Sequence, residues 1–117
     1  MDDVTTKPTK PTRPSDARLL SGEALAAALR DSRARTWALV ADLTPGQWLA
    51  PLIDGVNPIA WELAHLAWFA EFWVLRGPHG RDACGQATAR FPARLAGPDA
   101  HFDSGRLLHA ARWTTPM

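Results

Sequence analysis

Tyrosine is absent from the 117 residues, cysteine occurs once, and isoleucine is scarce. Each shortage excludes something. A lone Cys84 forbids an internal disulfide and suits a reducing, cytoplasmic setting. Scarce isoleucine beside abundant alanine favours helix over sheet. An excess of one charge is also missing: 13 basic and 12 acidic residues leave a net charge of +1. That balance gives no electrostatic reason to expect nucleic acid or an anionic membrane as a partner. Nor is any apolar run long enough to span a bilayer. The longest, Ile59 to Leu75, falls short of the roughly 20 residues needed. It also carries Glu62, His65 and Glu71, each costly in hydrocarbon. The N-terminus lacks the basic-then-apolar order of a secretory signal. The length allows one small domain with a modest core.

What is present is unevenly spread. Residues 1–14, MDDVTTKPTKPTRP, form a Pro/Thr/Lys-rich tail with almost nothing apolar, and they are expected to be disordered. Residues 15–117 are expected to form a helical domain. A first helix is predicted over 15–43, capped by Ser15 or Ser21, with Leu25, Leu29, Thr36, Val40 and Leu43 on one stripe and Trp37 beside it. Thr44-Pro45-Gly46-Gln47 is a helix-start signal in which Gln47 can reach back to Thr44. A short helical turn then carries Trp48, and Pro51 to Val56 is read as a loop.

The second helix has the clearest borders. Asn57 is a good cap, Pro58 suits the first position, Arg76 falls in the last turn, Gly77 can take a left-handed conformation, and Pro78 blocks continuation. These signals place a helix over 58–76. Residues 78–100 read as a long connection with at most one short helix, and Asp103 or Ser104 can cap a last helical piece through about Arg112.

At 100° per residue, Trp61, Trp68, Phe69 and Phe72 fall within about 60° of His65. Trp61, Trp68 and Phe72 are therefore predicted core residues. Leu63, Ala67, Ala70 and Val74 cover the back of this helix, which is apolar almost all round and suits a central position or an interface. Two readings of His65 stand. It is a core histidine satisfied by one hydrogen bond, or a metal ligand, since neutral imidazole is the commonest protein ligand. A ferrous or zinc site needs about three protein ligands. His79, His101 and His109 show no His-x-x-x-His spacing. Glu62 either orients His65 as a supporting carboxylate or is a helix-N-terminal carboxylate favoured by the dipole. Glu71 is paired with an arginine or solvated.

The stretch N-P-x-x-W-E-L-A-H-x-x-W-F-x-E-x-W-x-L-R resembles the N-terminal DinB-like domain of the ergothioneine synthase family, the non-haem iron sulfoxide synthases, and is most similar to its selenoneine-making branch. F-D-S-G-R-L-L-H-A-A-R-W, Phe102 to Trp113, and R-A-R-T-W-A-L-V-A-D-L-T-P-G-Q-W, Arg33 to Trp48, resemble segments of the same domain in the same order. The resemblance covers about Arg18 to Pro116. It implies an all-α, DinB-like four-helix bundle. It makes His65 the first ligand of an Fe(II) site, and it places Arg112 where the family grips the carboxylate of a thiol substrate. A helix-C-terminal cation is the alternative for Arg112. The activity it implies is oxygen-dependent C–S or C–Se bond formation on a histidine-derived betaine, with a thiol or selenosugar as second substrate.

This chain departs from that pattern in two ways. The family completes its iron triad with His-x-x-x-His on a later bundle helix, and it carries a C-terminal domain related to formylglycine-generating enzymes. Neither is in the sequence. The expected fold is therefore an incomplete bundle, about two long helices plus short helical pieces. Three functions follow: a truncated DinB-like domain without activity of its own, one half of a split enzyme with a complementary C-terminal chain, or a small non-catalytic helical domain that self-associates.

Overall fold

The computed structural model describes residues 17–94 and 97–116. The predicted tail over 1–14 lies outside them, as does the proposed cap Ser15. The described residues fall into two compact units that part between Asp42 and Leu43.

The first unit holds helix α1, Gly22–Ala38, whose sequence GEALAAALRDSRARTWA is rich in good helix formers. Ser21 occupies the capping position in an extended conformation, and Glu23 sits in the first turn, where the helix dipole favours a carboxylate. The helix stops short of the predicted residue 43. Its last turn tightens, with the Leu39 and Val40 N–H groups reaching the Arg35 and Trp37 carbonyls at 3.2 and 3.1 Å. Thr44, which precedes a proline, is extended (φ −77°, ψ 159°), so the helix has to end upstream of it. Leu25 and Leu29 stand on α1, but no residue of the helix is buried.

The second unit opens with the predicted start signal. Thr44 N–H donates to Gln47 Oε1 at 2.8 Å, and Pro45–Trp48 form a 3-10 turn. Helix α2 spans Ile59–Ala70 and runs on as a π-helical turn, Glu71–Leu75. Pro58, not Asn57, takes the capping position, and the Asn57 side chain turns instead to Glu62. Gly77 is not left-handed, and the Gly77–Pro78 bond is cis. The carbonyls left over at the end of the helix find other donors: His79 Nε2 reaches Phe72 O at 2.7 Å, and Phe91 N–H reaches Arg76 O at 3.1 Å.

Those donors come from an element the sequence analysis read as a plain connection. Strands β1 (His79–Arg81) and β2 (Ala87–Ala89) pair antiparallel, His79 opposite Ala89 and Arg81 opposite Ala87. Their turn is built by Asp82, whose Oδ1 accepts from the Cys84 and Gln86 N–H groups, both at 2.9 Å, and by Gly85 at φ 79°. Helix α3, Pro98–Phe102, follows. The predicted helix from Asp103 to Arg112 is also corrected. Asp103 Oδ1 accepts from Gly105 N–H at 2.9 Å and its Oδ2 from Arg106 Nε at 3.1 Å, so the side chain stabilises a turn in place of a helix. Only His109–Trp113 is helical, as a 3-10 turn. It pins the 50–57 loop: Trp113 Nε1 donates to Ala50 O and His109 Nε2 to Val56 O, both at 2.6 Å.

The core is Trp61, Trp68 and Phe72, as their spacing predicts, with Arg76 buried beside them. The described residues thus hold three α-helices and one small two-stranded sheet. None of the helices is long and apolar enough to cross a membrane.

Candidate functional site

Steps of four and three residues put Trp61, His65, Trp68 and Phe72 on one face of α2 and its π-helical extension. The rings form a continuous stack. Trp61 and His65 lie 4.8 Å apart and nearly parallel at 9°, His65 and Trp68 5.6 Å apart at 23°, and Trp68 and Phe72 5.1 Å apart.

Every ring N–H that faces α3 is used. Trp61 Nε1 donates to His101 O at 2.9 Å, His65 Nδ1 to Phe102 O at 2.7 Å, and Trp68 Nε1 to Asp99 Oδ1 at 2.8 Å. The last carbonyls of a helix have no partner within it, so Trp61 and His65 cap α3 from the side. A carbonyl only accepts. His65 Nδ1 therefore carries a proton, and Nε2 makes no hydrogen bond among the described residues. Both readings of His65 are thus compatible in one geometry: one nitrogen satisfies the fold, and the other is available as a base or ligand.

The Phe102 carbonyl holds the His65 ring, and the Glu62 carboxylate is engaged by Asn57. Asn57 donates to Glu62 through Nδ2, and its Oδ1 accepts from Arg112 Nη1 at 2.8 Å. The Arg112 guanidinium lies over the Trp61 ring, 4.4 Å from its centre, and its Nε is buried without a hydrogen-bond partner among the described residues. The structure therefore gathers the three sequence candidates around Trp61: His65 and Arg112 contact its ring, and Asn57 ties Arg112 to Glu62. A second histidine, His101, meets Trp61 through its backbone carbonyl. His79 and His109 spend Nε2 on backbone carbonyls. No group of three His, Cys, Asp or Glu side chains suited to a metal forms among the described residues.

Arg76 and Asp99 were not singled out by sequence, and they support the site. Arg76 Nη1 and Nη2 grip Asp99 Oδ1 and Oδ2 at 2.6 and 2.9 Å, and Arg76 Nε reaches Phe91 O at 2.9 Å. The bidentate grip of Arg76 holds the Asp99 carboxyl below the ordinary carboxylate range against the opposing effect of burial, and the Trp68 N–H adds to it. The same bond pushes the Arg76 pKa up, against its own desolvation. A signal for this pair was in the sequence: an arginine at the end of a greasy helix needs a carboxylate. Which one it takes, 23 residues on, is a matter of tertiary pairing. Glu71, the nearer carboxylate, instead accepts the Arg94 backbone N–H at 2.8 Å.

Clefts open in this unit. One, of about 260 Å³, lies between Trp68, Phe69, Phe72 and Trp73 and the turn residues Gln86 and Ser104. Another, of about 420 Å³, is bordered by Arg76, Asp99, Asp103 and Arg106, whose charges already pair with one another. His65 and Arg112 line neither.

No curated protein matches the chain. Residues 28–114 match the DinB superfamily, well over half of the chain, and the chain therefore belongs to that superfamily.

Proposed function

We propose that the chain is part of the DinB-like domain of a non-haem iron synthase of the ergothioneine or selenoneine type, in which His65 supplies one of the iron ligands. On this reading the described helices belong to a four-helix bundle. Its remaining helices, and the other ligands, come from sequence that the described residues do not include. The observation that carries the reading is the tautomer of His65. A metal-ligating histidine commonly donates its other ring N–H to a carbonyl, which fixes the ring and frees the ligating nitrogen. His65 does this with Phe102 and keeps Nε2 free. Fe(II) accepts an imidazole nitrogen readily, so the donor fits the group.

Bound there, the ferrous ion would supply the oxygen chemistry that joins sulfur or selenium to a histidine-derived betaine. The residues of this chain contribute position: the Phe102 carbonyl fixes His65, and the Arg112 guanidinium, held over the Trp61 ring, offers a planar donor to a substrate carboxylate. With one ligand alone, the chain has no synthase activity of its own.

An anaerobic Fe(II) titration tests this. The 117-residue chain is expected to bind weakly, with paramagnetic broadening that reaches the His65 ring before those of His79, His101 and His109. A tight one-to-one site abolished by His65→Ala would show a complete centre and refute the incomplete one. Broadening that spares His65 would remove it from the ligand set.

A further inference from the structure

Helix α3 has five residues, Pro98–Phe102, too few to be stable in water by itself. Its position is set by what it touches on α2. Of those contacts, the strongest converge on one side chain. Asp99 takes both guanidinium N–H groups of Arg76, at 2.6 and 2.9 Å, and Trp68 Nε1 at 2.8 Å. Arg76 and Trp68 are themselves buried, so the anchor is made by groups that cannot easily move. Bidentate charged bonds of this kind are roughly twice as strong as neutral ones. One helical turn further on, Phe102 O meets His65 Nδ1 at 2.7 Å. Because Asp99 and Phe102 are three residues apart in one short helix, a shift at Asp99 carries to Phe102.

We infer that Asp99 is a positioning residue for His65: anchored on Arg76 and Trp68, it holds α3 so that the Phe102 carbonyl keeps the His65 proton on Nδ1 and leaves Nε2 bare. Its functional meaning rests on the reading of His65 as a metal ligand, but the linkage itself is a property of the metal-free chain. Trp61 also reaches α3, through His101 O at 2.9 Å, yet that is one neutral bond and it leaves the helix free to pivot.

The test is the ¹⁵N spectrum of the histidine rings in the metal-free chain, which reports which nitrogen carries the proton. In the unsubstituted chain His65 is expected to be the Nδ1–H form. In Asp99→Ala the ratio should move about fivefold toward Nε2–H, the change expected when one neutral hydrogen bond is lost. Asp99→Asn keeps an oxygen for Trp68 but not the charge for Arg76, and should move it less. Asp99→Asn carries the test alone if Asp99→Ala does not fold. Trp113→Phe, which removes the bond to Ala50 O and no bond to α3, should lower stability and leave the His65 ratio where it was. The inference is overturned if the folded Asp99 variants keep the unsubstituted ratio, or if Trp113→Phe moves it equally. Either result leaves the metal reading standing, because that reading is tested by how His65 responds to added Fe(II).

Discussion

Helices α1 and α2 are held in opposite ways. In α1 no residue is buried, and its side chains meet on the surface, Arg35 with Asp31 at 2.9 Å and Arg30 with Glu23. In α2 the aromatic face is buried, three ring nitrogens are bonded to a neighbouring helix, and a buried arginine closes the end. The first helix owes its shape to alanine, leucine and arginine, which favour helix wherever they stand. The second contains Trp, Phe and His, which are poorer helix formers, and owes its shape to packing. The candidate site belongs to the second helix, where tertiary contacts dictate which way a side chain points.

This contrast can be broken by substitution. Trp61 is 1% exposed, and Trp61→Ala should cost about 3–5 kcal/mol in denaturant unfolding. The matching change in α1, Leu29→Ala, should stay within about 0.5 kcal/mol. A loss of similar size at both positions would erase the distinction.

Next in size is the ion pair. Arg76→Ala leaves Asp99 without its partner. Breaking a fully buried pair costs about 3–5 kcal/mol. The Asp99 side chain is 44% exposed, so water screens part of the loss, and about 2 kcal/mol is expected. Arg35→Ala removes an exposed pair in α1 and should cost less than about 0.5 kcal/mol. Trp68→Phe keeps the ring in the core but deletes the donor to Asp99, and should cost about 1 kcal/mol.

The smallest effect expected is the most specific. Because Arg76 holds the folded-state pKa of Asp99 below the ordinary value, the unfolded chain binds a proton there that the folded chain does not. That stability is fully present above about pH 4, the ordinary range of an aspartate, and is lost as pH falls through the folded value. Thermal melts below pH 4 should therefore be less pH-dependent in Asp99→Asn than in the unsubstituted chain. Equal slopes would show that the pair does not govern the acid limb.

Much of α2 was legible because its evidence is local. The spacing of Trp61, Trp68 and Phe72 names the buried face, and Pro45 with Gln47 names the turn before it. The hairpin was not legible, because its strands, His-Gly-Arg and Ala-Thr-Ala, carry little of the β-branched signature. It is specified by its turn, through Asp82 and Gly85. The His65 partner was hidden for another reason. A carbonyl of Phe102 is an acceptor that any residue would have offered, so no side chain advertises it. Two separate segments of the resemblance named His65 and Arg112, and both side chains contact the Trp61 ring. Asn57 was read as a cap and is instead the link between Glu62 and Arg112.

The account turns on one proton. A long-range ¹H–¹⁵N spectrum of the unsubstituted, metal-free chain at neutral pH reports both ring nitrogens of His65 at once. The geometry predicts a protonated Nδ1 and an unprotonated Nε2, with Nε2 the first histidine signal to respond when Fe(II) is added. A proton on Nε2 with Nδ1 bare would contradict it, because the nitrogen offered to the metal would then be occupied and Nδ1 would have no proton to give Phe102.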